Sequence, residues 1–311
     1  MSVRATDAAV AEAADALAQG RLVIFPTETV YGLGADATNA KAVAAIYAAK
    51  GRPAFNPLIS HVPDLKAAEA HAQFNPRARA LARAFWPGPL TLVLKRRDDS
   101  SVAELACAGL STIALRAPAH PVAQRLLARF GNPIAAPSAN RSGRLSPTIA
   151  AHAEDDVGDT AAITLDGGAS EAGLESSIVA IDDDGGATLL RPGAIVRADL
   201  EAVLGPLSAP TDGAVAAPGM LASHYAPRAR LRLDAATPHA GEAYLAFGAN
   251  APADALNLSP DGDLAEAAAN LYAYLRALDA AGPDIIAVAP LPRQGLGEAI
   301  RDRLARAAAP R

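Results

Sequence analysis

The stretch RLVIFPTETVYGLGADATNAKAVAAIYAAKGRPAFNPLISHV, residues 21–62, places a strand, a helix and a second strand in succession. The apolar run LVIF (Leu22–Phe25) is typical of a short buried strand, and Leu58–Val62 is a second such run. Between them, Asn39 predicts the start of a helix that continues to about Ala49. This alternation of strand and helix indicates an α/β fold.

The alternation continues on both sides of this stretch. The pattern predicts further helices at Asp7–Gln19 (capped by Thr6), from Asn75-Pro76 onward, and at Pro121–Phe130. It predicts further strands at Thr91–Lys95, Thr112–Arg116 and Pro133–Ala136, and a hairpin of Ser177–Ile181 with Ala187–Leu190.

A second, smaller domain is expected after a linker. Residues 205–227 hold four prolines and three glycines, which is a linker composition. After this segment the pattern restarts, with strands at 231–234, 243–247 and Asp284–Ala289 and helices at Leu264–Ala280 and Leu296–Ala308. We therefore predict a larger α/β domain over residues 1–204, a linker and lid over 205–228, and a small α/β domain over 229–311.

Composition narrows the class of protein. The chain is 51% hydrophobic and 20% charged with a net charge of −5, which favours a globular protein and argues against one that coats nucleic acid non-specifically. A single cysteine, Cys107, excludes a disulfide framework and a cysteine-rich zinc site. There is no secretory signal pattern and no long apolar run, so we expect a cytoplasmic location without membrane attachment.

A glycine pair raises the possibility of a dinucleotide site. Residues Gly32–Ala37 match the loose G-x-G-x-x-A fingerprint, after a strand and before a helix. However, PTETVY separates the strand from the first glycine, and no acid follows about 20 residues on to hold a ribose. The pattern favours a glycine-bearing turn. Walker A, H-E-x-x-H and G-x-S-x-G motifs are absent, and histidine spacing predicts no protein metal site.

Lys50-Gly51-Arg52 offers a different phosphate cradle. Lys50 and Arg52 flank a glycine at a predicted helix end, where they could clamp one anionic group between an ammonium and a guanidinium. Favourable interaction with the helix dipole explains the same residues without any ligand. The spacing alone leaves both interpretations open.

Other polar residues follow predicted strands. Thr27–Thr29 follows the first strand, Ser138–Asn140 follows another, and Arg116 ends a third. Ligands of α/β sheets commonly bind at such strand ends, and Arg116 would suit a carboxylate or a phosphate. Turn capping and surface ion pairing are the alternatives.

Seven segments, taken together, go beyond spacing. They are FPTETVYGLGADA, KGRPAFNPLISHV, STIALRAPAH, APSANRSG, GLESSIV, LRPGAI and PGMLASHYAP. In these segments and in their order, the chain resembles the threonylcarbamoyl-AMP synthase family in its longer, two-domain form. The resemblance implies a twisted mixed-sheet α/β catalytic domain with a large basic cavity, followed by a small Rossmann-like α/β domain.

The resemblance implies a nucleotidyltransferase. Its substrates would be L-threonine, bicarbonate (as CO2) and ATP with Mg2+, and its products L-threonylcarbamoyladenylate and pyrophosphate. A separate transferase complex would then move the threonylcarbamoyl group to tRNAs that read codons beginning with A. Weak direct binding of tRNA or double-stranded RNA is also implied.

The resemblance also implies site residues. Lys50 and Arg52 take the catalytic role, and the ATP contacts are Lys50, Arg52, Asn56, Thr112, Ser138, Asn140, Ser146, Arg191 and Tyr225. The threonine contacts are Thr29, His61, Arg116, Ala136 and Ser176. One departure is that GMLASHYAP lacks the basic residue that the family often places shortly before HYAP.

Two rival interpretations fit parts of the sequence. A double-stranded RNA-binding module without turnover fits the basic segment 21–97, with eleven Lys/Arg against four Asp/Glu, but not the acidic total. The related carbamoyl-transfer enzymes of hydrogenase maturation carry zinc-finger cysteines, and this chain has one cysteine.

Overall fold

A computed structural model describes residues 2–210, 224–253 and 255–310. Residues 2–210 form a large sheet with helices on both faces. Its elements are β1 Val3–Arg4, α1 Asp7–Ala18, β2 Leu22–Phe25, β3 Gly32–Asp36, α2 Ala40–Lys50, β4 Ile59–His61, α3 Leu65–Glu69, α4 Pro76–Phe85, β5 Leu90–Lys95, β6 Thr112–Arg116, α5 Pro121–Phe130, β7 Ile134–Ala135, α6 Ala150–Val157, β8 Ala161–Asp166, β9 Ser177–Ile181, β10 Ala187–Arg191 and α7 Arg197–Leu204.

The large sheet is mixed, and its strand order is β1-β8-β2-β3-β7-β4-β6-β5-β9-β10. At its centre β4 and β6 run parallel, so that His61 lies opposite Arg116 at the carboxyl ends of the two strands. The antiparallel strand β7 pairs with the other edge of β4. The last residues of β4 and β6 therefore lie side by side, whereas β7 runs the other way, so that Ala136 lies beside Ile59 at the start of β4.

Local sequence explains where the helices begin. The side chains of Thr6, Asn39 and Asn75 each accept a hydrogen bond from a backbone N–H of the first turn, as expected for N-caps. Gly51 ends α2 in the left-handed conformation, at φ 59°. The helices predicted from Thr6, Asn39 and Asn75 are confirmed.

The prediction of a turn at Gly32–Gly34 is wrong, since these residues belong to β3. A Cβ at Gly34 would lie 2.8 Å from Phe25 Cε1 and 3.0 Å from Ile134 Cγ2. The glycines thus allow β3 to pack closely against its neighbouring strands. Turn propensities, which depend on local sequence alone, do not predict this requirement.

The core lies on both faces of the large sheet. Alternate residues of β2 contribute to different apolar clusters: Leu22 and Ile24 pack with α2 and α4, while Val23 and Phe25 pack with α1 and α5. The result is the three-layer arrangement expected of an α/β fold.

A second sheet follows, and it confirms the small α/β unit. Its elements are β11 Arg230–Arg232, β12 Ala243–Ala246, β13 Leu256–Asn257, α8 Leu264–Ala280, β14 Ile285–Val288 and α9 Leu296–Ala308. The four strands are parallel, in the order β11-β14-β12-β13.

The two sheets share one apolar cluster. Val30, Leu145 and Leu174 from the first part of the chain belong to the same cluster as Leu271 and Ile300, from α8 and α9. Most of the predicted linker, residues 211–223, lies outside the described residues, so the linker and lid remain a prediction. In the part of the chain that is described, no helix is long and apolar enough to cross a membrane.

Candidate functional site

A cavity lies over β4 and β6 and the loops after β2 and β7. It is lined by Thr29, Val30, Arg52, Ile59, His61, Arg116, Ala136, Pro137, Ser138, Glu175, Ser176, Arg191, His224 and Tyr225. Nine of these fourteen lining residues were singled out from the sequence. Residues from seven separate segments of the chain therefore meet in one place.

Three buried guanidinium groups line this cavity, and backbone carbonyls hold two of them, those of Arg52 and Arg191. Arg52 donates from Nε to the carbonyl of Asn56 (3.1 Å) and from Nη2 to that of Pro57 (2.8 Å). Arg191 donates from Nε and Nη2 to the carbonyl of Ser176, at 3.2 and 2.9 Å. Burial, with the nearby Arg191 charge, lowers the pKa of Arg52 to about 10, so it remains protonated at neutral pH. Carbonyl oxygens thus hold two cations in fixed positions facing the cavity.

Lys50 lies behind the cavity wall. Its ammonium donates to the carbonyl oxygens of Ser138, at 2.6 Å, and of Asn140, in a very short contact. Burial and the charge of Arg52 lower the pKa of Lys50 well below its ordinary value. The side chain that sequence analysis paired with Arg52 as a clamp therefore shapes the loop that carries Ser138 and Asn140.

Arg116 forms a buried ion pair with Glu28. Arg116 Nη2 lies 2.6 Å from Glu28 Oε1, and Glu28 Oε2 accepts from the backbone N–H groups of Ala119 and His120. Burial alone would raise the pKa of Glu28, but the Arg116 charge and these hydrogen bonds outweigh it and lower the pKa. Glu28 has no role in the sequence analysis, although it lies within the quoted PTET turn.

His61 is a neutral buried imidazole. Burial and the Arg116 charge lower its pKa to about 3, and Nδ1 has no hydrogen-bond partner among the described residues. Phe25 packs edge-on against the ring, with centroids 6.2 Å apart. Such a histidine offers a hydrogen bond readily, but it is a weak base at neutral pH.

Small hydroxyls surround the same end of the cavity. The Oγ1 atoms of Thr27 and Thr29 lie 2.8 Å apart, and Ser176 Oγ lies 2.7 Å from Thr91 Oγ1. Arg191 Nη2 also donates to Ser176 Oγ, at 3.2 Å. These hydrogen bonds fix the hydroxyl oxygens of Thr29 and Ser176, which line the same cavity as Arg116 and His61.

A buried carboxylate, Glu175, is a site residue that sequence analysis missed. Its oxygens accept from Ser146 Oγ (2.6 Å), Tyr272 OH (3.0 Å) and Arg303 Nε (2.7 Å). Burial raises its pKa, but the charges of Arg303 and Arg191 prevail and lower it to about 2. The sequence did hold a signal. In GLESSIV, Glu175 stands between the apolar Leu174 and two serines, directly before the predicted contact Ser176.

The other sequence-predicted residues lie outside the lining. Asn56 is fully buried, and its side-chain nitrogen and oxygen have no partner among the described residues. Asn140 and Ser146 lie just behind the lining, bonded to Ser138 and Glu175 respectively. Thr112 begins β6, at the opposite end of that strand from Arg116. The structure thus does not bring Thr112 to the cavity.

Metal ligands are not grouped in the described part of the chain. It contains no cluster of three His, Cys, Asp or Glu side chains that could hold a metal ion. The cavity presents guanidinium, imidazole and hydroxyl groups, which suit anions and hydroxylated ligands.

Two protein-family models match consecutive parts of the sequence. Residues 15–193 match the Sua5–YciO–YrdC model, described as "Telomere recombination". Residues 195–309 match a model described as "Threonylcarbamoyl-AMP synthase, C-terminal domain".

Individual relatives and a solved structure support the same family. The threonylcarbamoyl-AMP synthase of Bacillus subtilis is 40% identical, with 97% of this chain and 93% of that protein covered. The crystal structure of Pyrococcus abyssi Sua5 complexed with L-threonine superposes with a TM-score of 0.88 at 37% identity, covering 97% of this chain and 95% of that one. A putative threonylcarbamoyl-AMP synthase of Mycobacterium tuberculosis is 43% identical over 199 residues, which cover 63% of this chain and 89% of that protein.

Proposed function

The chain belongs to the threonylcarbamoyl-AMP synthase family, and from that premise we propose that it makes L-threonylcarbamoyladenylate and pyrophosphate from L-threonine, bicarbonate (as CO2) and ATP. In enzyme terms it is a nucleotidyltransferase. The observation that carries the proposal is that two buried guanidinium groups, of Arg52 and Arg191, line the same cavity as Arg116 and His61. Two anionic substrates can meet there away from bulk water.

ATP occupies the part of the cavity that holds Arg52 and Arg191. Their guanidinium groups face the phosphates, and Lys50 supports the loop of Ser138 and Asn140 from behind. The remaining nucleotide contacts in the proposal are Asn56, Ser146 and Tyr225; Thr112 is left out, because it lies at the far end of β6 from the cavity. The unpartnered side-chain amide of Asn56 favours this assignment, because a buried amide without a partner is costly unless a ligand completes it.

Mg2+ is proposed to arrive with ATP. Since the described residues hold no cluster of metal ligands, phosphate oxygens and water would be its ligands, as is common for this ion. When bound, it neutralises phosphate charge.

Threonine occupies the end of the cavity near Arg116. The guanidinium of Arg116, oriented by Glu28, holds the amino-acid carboxylate. Thr29 and Ser176 supply oxygens for the threonine hydroxyl, and His61 and Ala136 complete the pocket. Hydrogen bonds to that hydroxyl are required, because a purely apolar slot discriminates poorly between threonine and valine.

Two bond-forming steps follow. Bicarbonate gives CO2 and hydroxide. The neutral amine nitrogen of threonine then forms a bond to the carbon of CO2 as one C–O π bond breaks, and the amine proton passes to that hydroxide, which gives a carbamate and water. A carbamate oxygen then forms a bond to the α-phosphorus of ATP as the bond to pyrophosphate breaks. The protein's contribution is positioning and charge neutralisation, which Arg52 and Arg191 supply where the two anions approach. His61, with its low pKa, acts as a hydrogen-bonding group.

Water must be kept from the carbamate and the adenylate. His224 and Tyr225 line the cavity directly after residues 211–223, which supports the proposal that the linker covers the site. If removal of the residues after 205 left adenylate yield and lifetime unchanged, the lid would be refuted.

The product is proposed to serve a separate transferase complex that modifies tRNA, in the cytoplasm. The decisive assay mixes the protein with Mg-ATP, L-threonine and bicarbonate and measures pyrophosphate together with threonylcarbamoyl adenylate by mass spectrometry. Reactions without threonine, or with valine, are the controls. Binding of tRNA that weakens steeply with salt, without ATP turnover, would instead favour the RNA-binding alternative.

A further inference from the structure

We infer that the C-terminal α/β unit positions the ATP-contacting side chains through the buried carboxylate of Glu175, with Arg303 and Tyr272 as positioning residues. The inference deepens the proposed function and rests on it. Neither Arg303 nor Tyr272 lines the cavity. Their effect on the reaction is therefore exerted through Glu175, which does.

Arg303 joins the two segments that carry Ser176 and Arg191. Its Nε donates to Glu175 Oε2 at 2.7 Å, and its Nη2 donates to the carbonyl of Pro192 at 3.0 Å. Glu175 directly precedes Ser176, and Pro192 directly follows Arg191. The arginine, on α9, is 1% exposed, so it is held as firmly as a core residue.

Tyr272 and Tyr225 extend this network to the nucleotide side of the cavity. The hydroxyl of Tyr272, on α8, donates to Glu175, and its ring packs against that of Tyr225 with centroids 5.9 Å apart. The Arg303 guanidinium lies 5.1 Å from the centroid of the Tyr225 ring, in a cation–π contact. Tyr225 is itself fully buried with a left-handed backbone, at φ 61°.

Ser146 completes the set on the opposite side. Its hydroxyl donates to Glu175 at 2.6 Å and makes no other side-chain bond among the described residues. Three of the proposed ATP contacts therefore adjoin this network. Ser146 bonds to Glu175, Tyr225 packs against Arg303, and Arg191 directly precedes Pro192, whose carbonyl Arg303 binds. Of the proposed threonine contacts, only Ser176 adjoins this network.

The backbone approach between the two parts is equally close. A Cβ at Gly173 would lie 2.4 Å from the carbonyl oxygen of Ala268 and 2.5 Å from Cα of Ala269, both on α8. The segment that leads into Glu175 thus rests directly on the helix that carries Tyr272. A shift of α8 would displace Glu175.

The test measures KM for ATP and for threonine separately in the full-length protein. Arg303→Met is expected to raise KM for ATP tenfold or more and to change KM for threonine less than threefold. Arg301→Met, on the same helix, breaks the partly exposed pair with Asp234 and a 3.3 Å hydrogen bond to the carbonyl of Leu291, and it is expected to leave both unchanged. Equal changes in both KM values, or none in folded Arg303→Met, would overturn the inference.

Two further variants keep the test decisive if Arg303→Met does not fold. Tyr272→Phe keeps the ring and removes one donor to Glu175, so KM for ATP is expected to rise about threefold, as for the loss of one modest hydrogen bond. A Tyr272→Phe protein with wild-type KM for ATP refutes the inference. Adding Glu175→Gln to Arg303→Met removes the carboxylate that has lost its arginine partner. KM for ATP is expected to be at least threefold lower in the double variant than in Arg303→Met alone. An equal KM in the two variants would count against action through Glu175.

Failure of the proposed function gives a different result. A wild-type protein that releases no pyrophosphate from ATP with threonine and bicarbonate would contradict the function itself. Turnover in the wild type with unaltered KM values in the variants would contradict only the role of Glu175.

Discussion

Arg116 and Glu28 are joined in a buried ion pair, with Nη2 and Oε1 2.6 Å apart and side chains that are 4% and 12% exposed. Glu28 also accepts from two backbone N–H groups at the start of α5. The carboxylate therefore ties the guanidinium of Arg116 to the frame of the fold. An arginine fixed in this way presents its remaining N–H groups to a ligand without a large loss of side-chain entropy.

Replacing Glu28 with Gln should weaken threonine binding. Gln keeps the shape but loses the charge that orients Arg116, and a hydrogen bond to a charged group is worth about 1.5–3 kcal/mol. We expect KM for threonine to rise about tenfold while KM for ATP changes little. Glu69→Gln, which weakens an exposed pair with Arg79, is the control. An unchanged KM for threonine would show that Arg116 does not depend on Glu28.

Loss of either Arg52 or Lys50 should lower turnover at least tenfold while the fold survives. A single well-placed charge-stabilising donor contributes about 2.7–4 kcal/mol at a transition state. Arg52→Ala removes a charge that faces the cavity, whereas Lys50→Ala removes the support of the Ser138–Asn140 loop. Turnover is measured by pyrophosphate release, with the exposed Lys66→Ala as control. Near wild-type turnover in both variants would show that the assignment is mistaken.

Acid should destabilise the protein between pH 6.5 and 4.5. Burial lowers the pKa of His61 and of His224 to about 3, so both stay neutral in the folded state while the unfolded chain takes up protons below pH 6.5. Stability therefore falls as pH falls, by up to about 1.4 kcal/mol per pH unit for each histidine.

Urea unfolding at pH 6.5, 5.5 and 4.5 measures this dependence. His224→Gln should flatten it relative to the wild type, and replacing the exposed His239 with Gln should not. His152, whose pKa burial lowers to about 4, adds in the same direction. Equal slopes for His224→Gln and the wild type would contradict the assignment.

Gly34→Ala should destabilise the fold by about 1–3 kcal/mol, the usual cost of overpacking a core. The new Cβ would lie 2.8 Å from Phe25 Cε1, in the centre of the large sheet. Urea unfolding measures the change. Gly158→Ala is the control, because Gly158 has helical angles (φ −56°, ψ −35°) and only the Glu154 side chain nearby. Equal effects in the two variants would refute the packing role of Gly34.

Local signals predicted the helices well. Thr6, Asn39 and Asn75 act on the N–H groups two or three residues ahead, so that a short sequence window contains the interaction. The strand at Gly32–Asp36 escaped prediction because its glycines are selected by neighbours from β2 and β7. Those neighbours adjoin only once the sheet has formed.

The site residues likewise fall into those that the sequence predicts and those that only the folded structure reveals. The strand-end pattern predicted Arg116 and the resemblance supplied Ser176, each as a single position, and the structure places both in one cavity. The ion pairs that hold the site could not be read from the sequence, because Arg116 and Glu28 lie 88 residues apart, Glu175 and Arg303 lie 128 residues apart, and no local pattern connects them. Buried ion pairs of this kind depend on tertiary packing alone.

The apolar cluster that Val30 and Leu174 share with Leu271 and Ile300 makes the two sheets one cooperative unit. Calorimetry should accordingly record a single endotherm for the whole chain, not one for each sheet. A backbone nicked by protease between residues 210 and 224 should still elute from a sizing column as one particle.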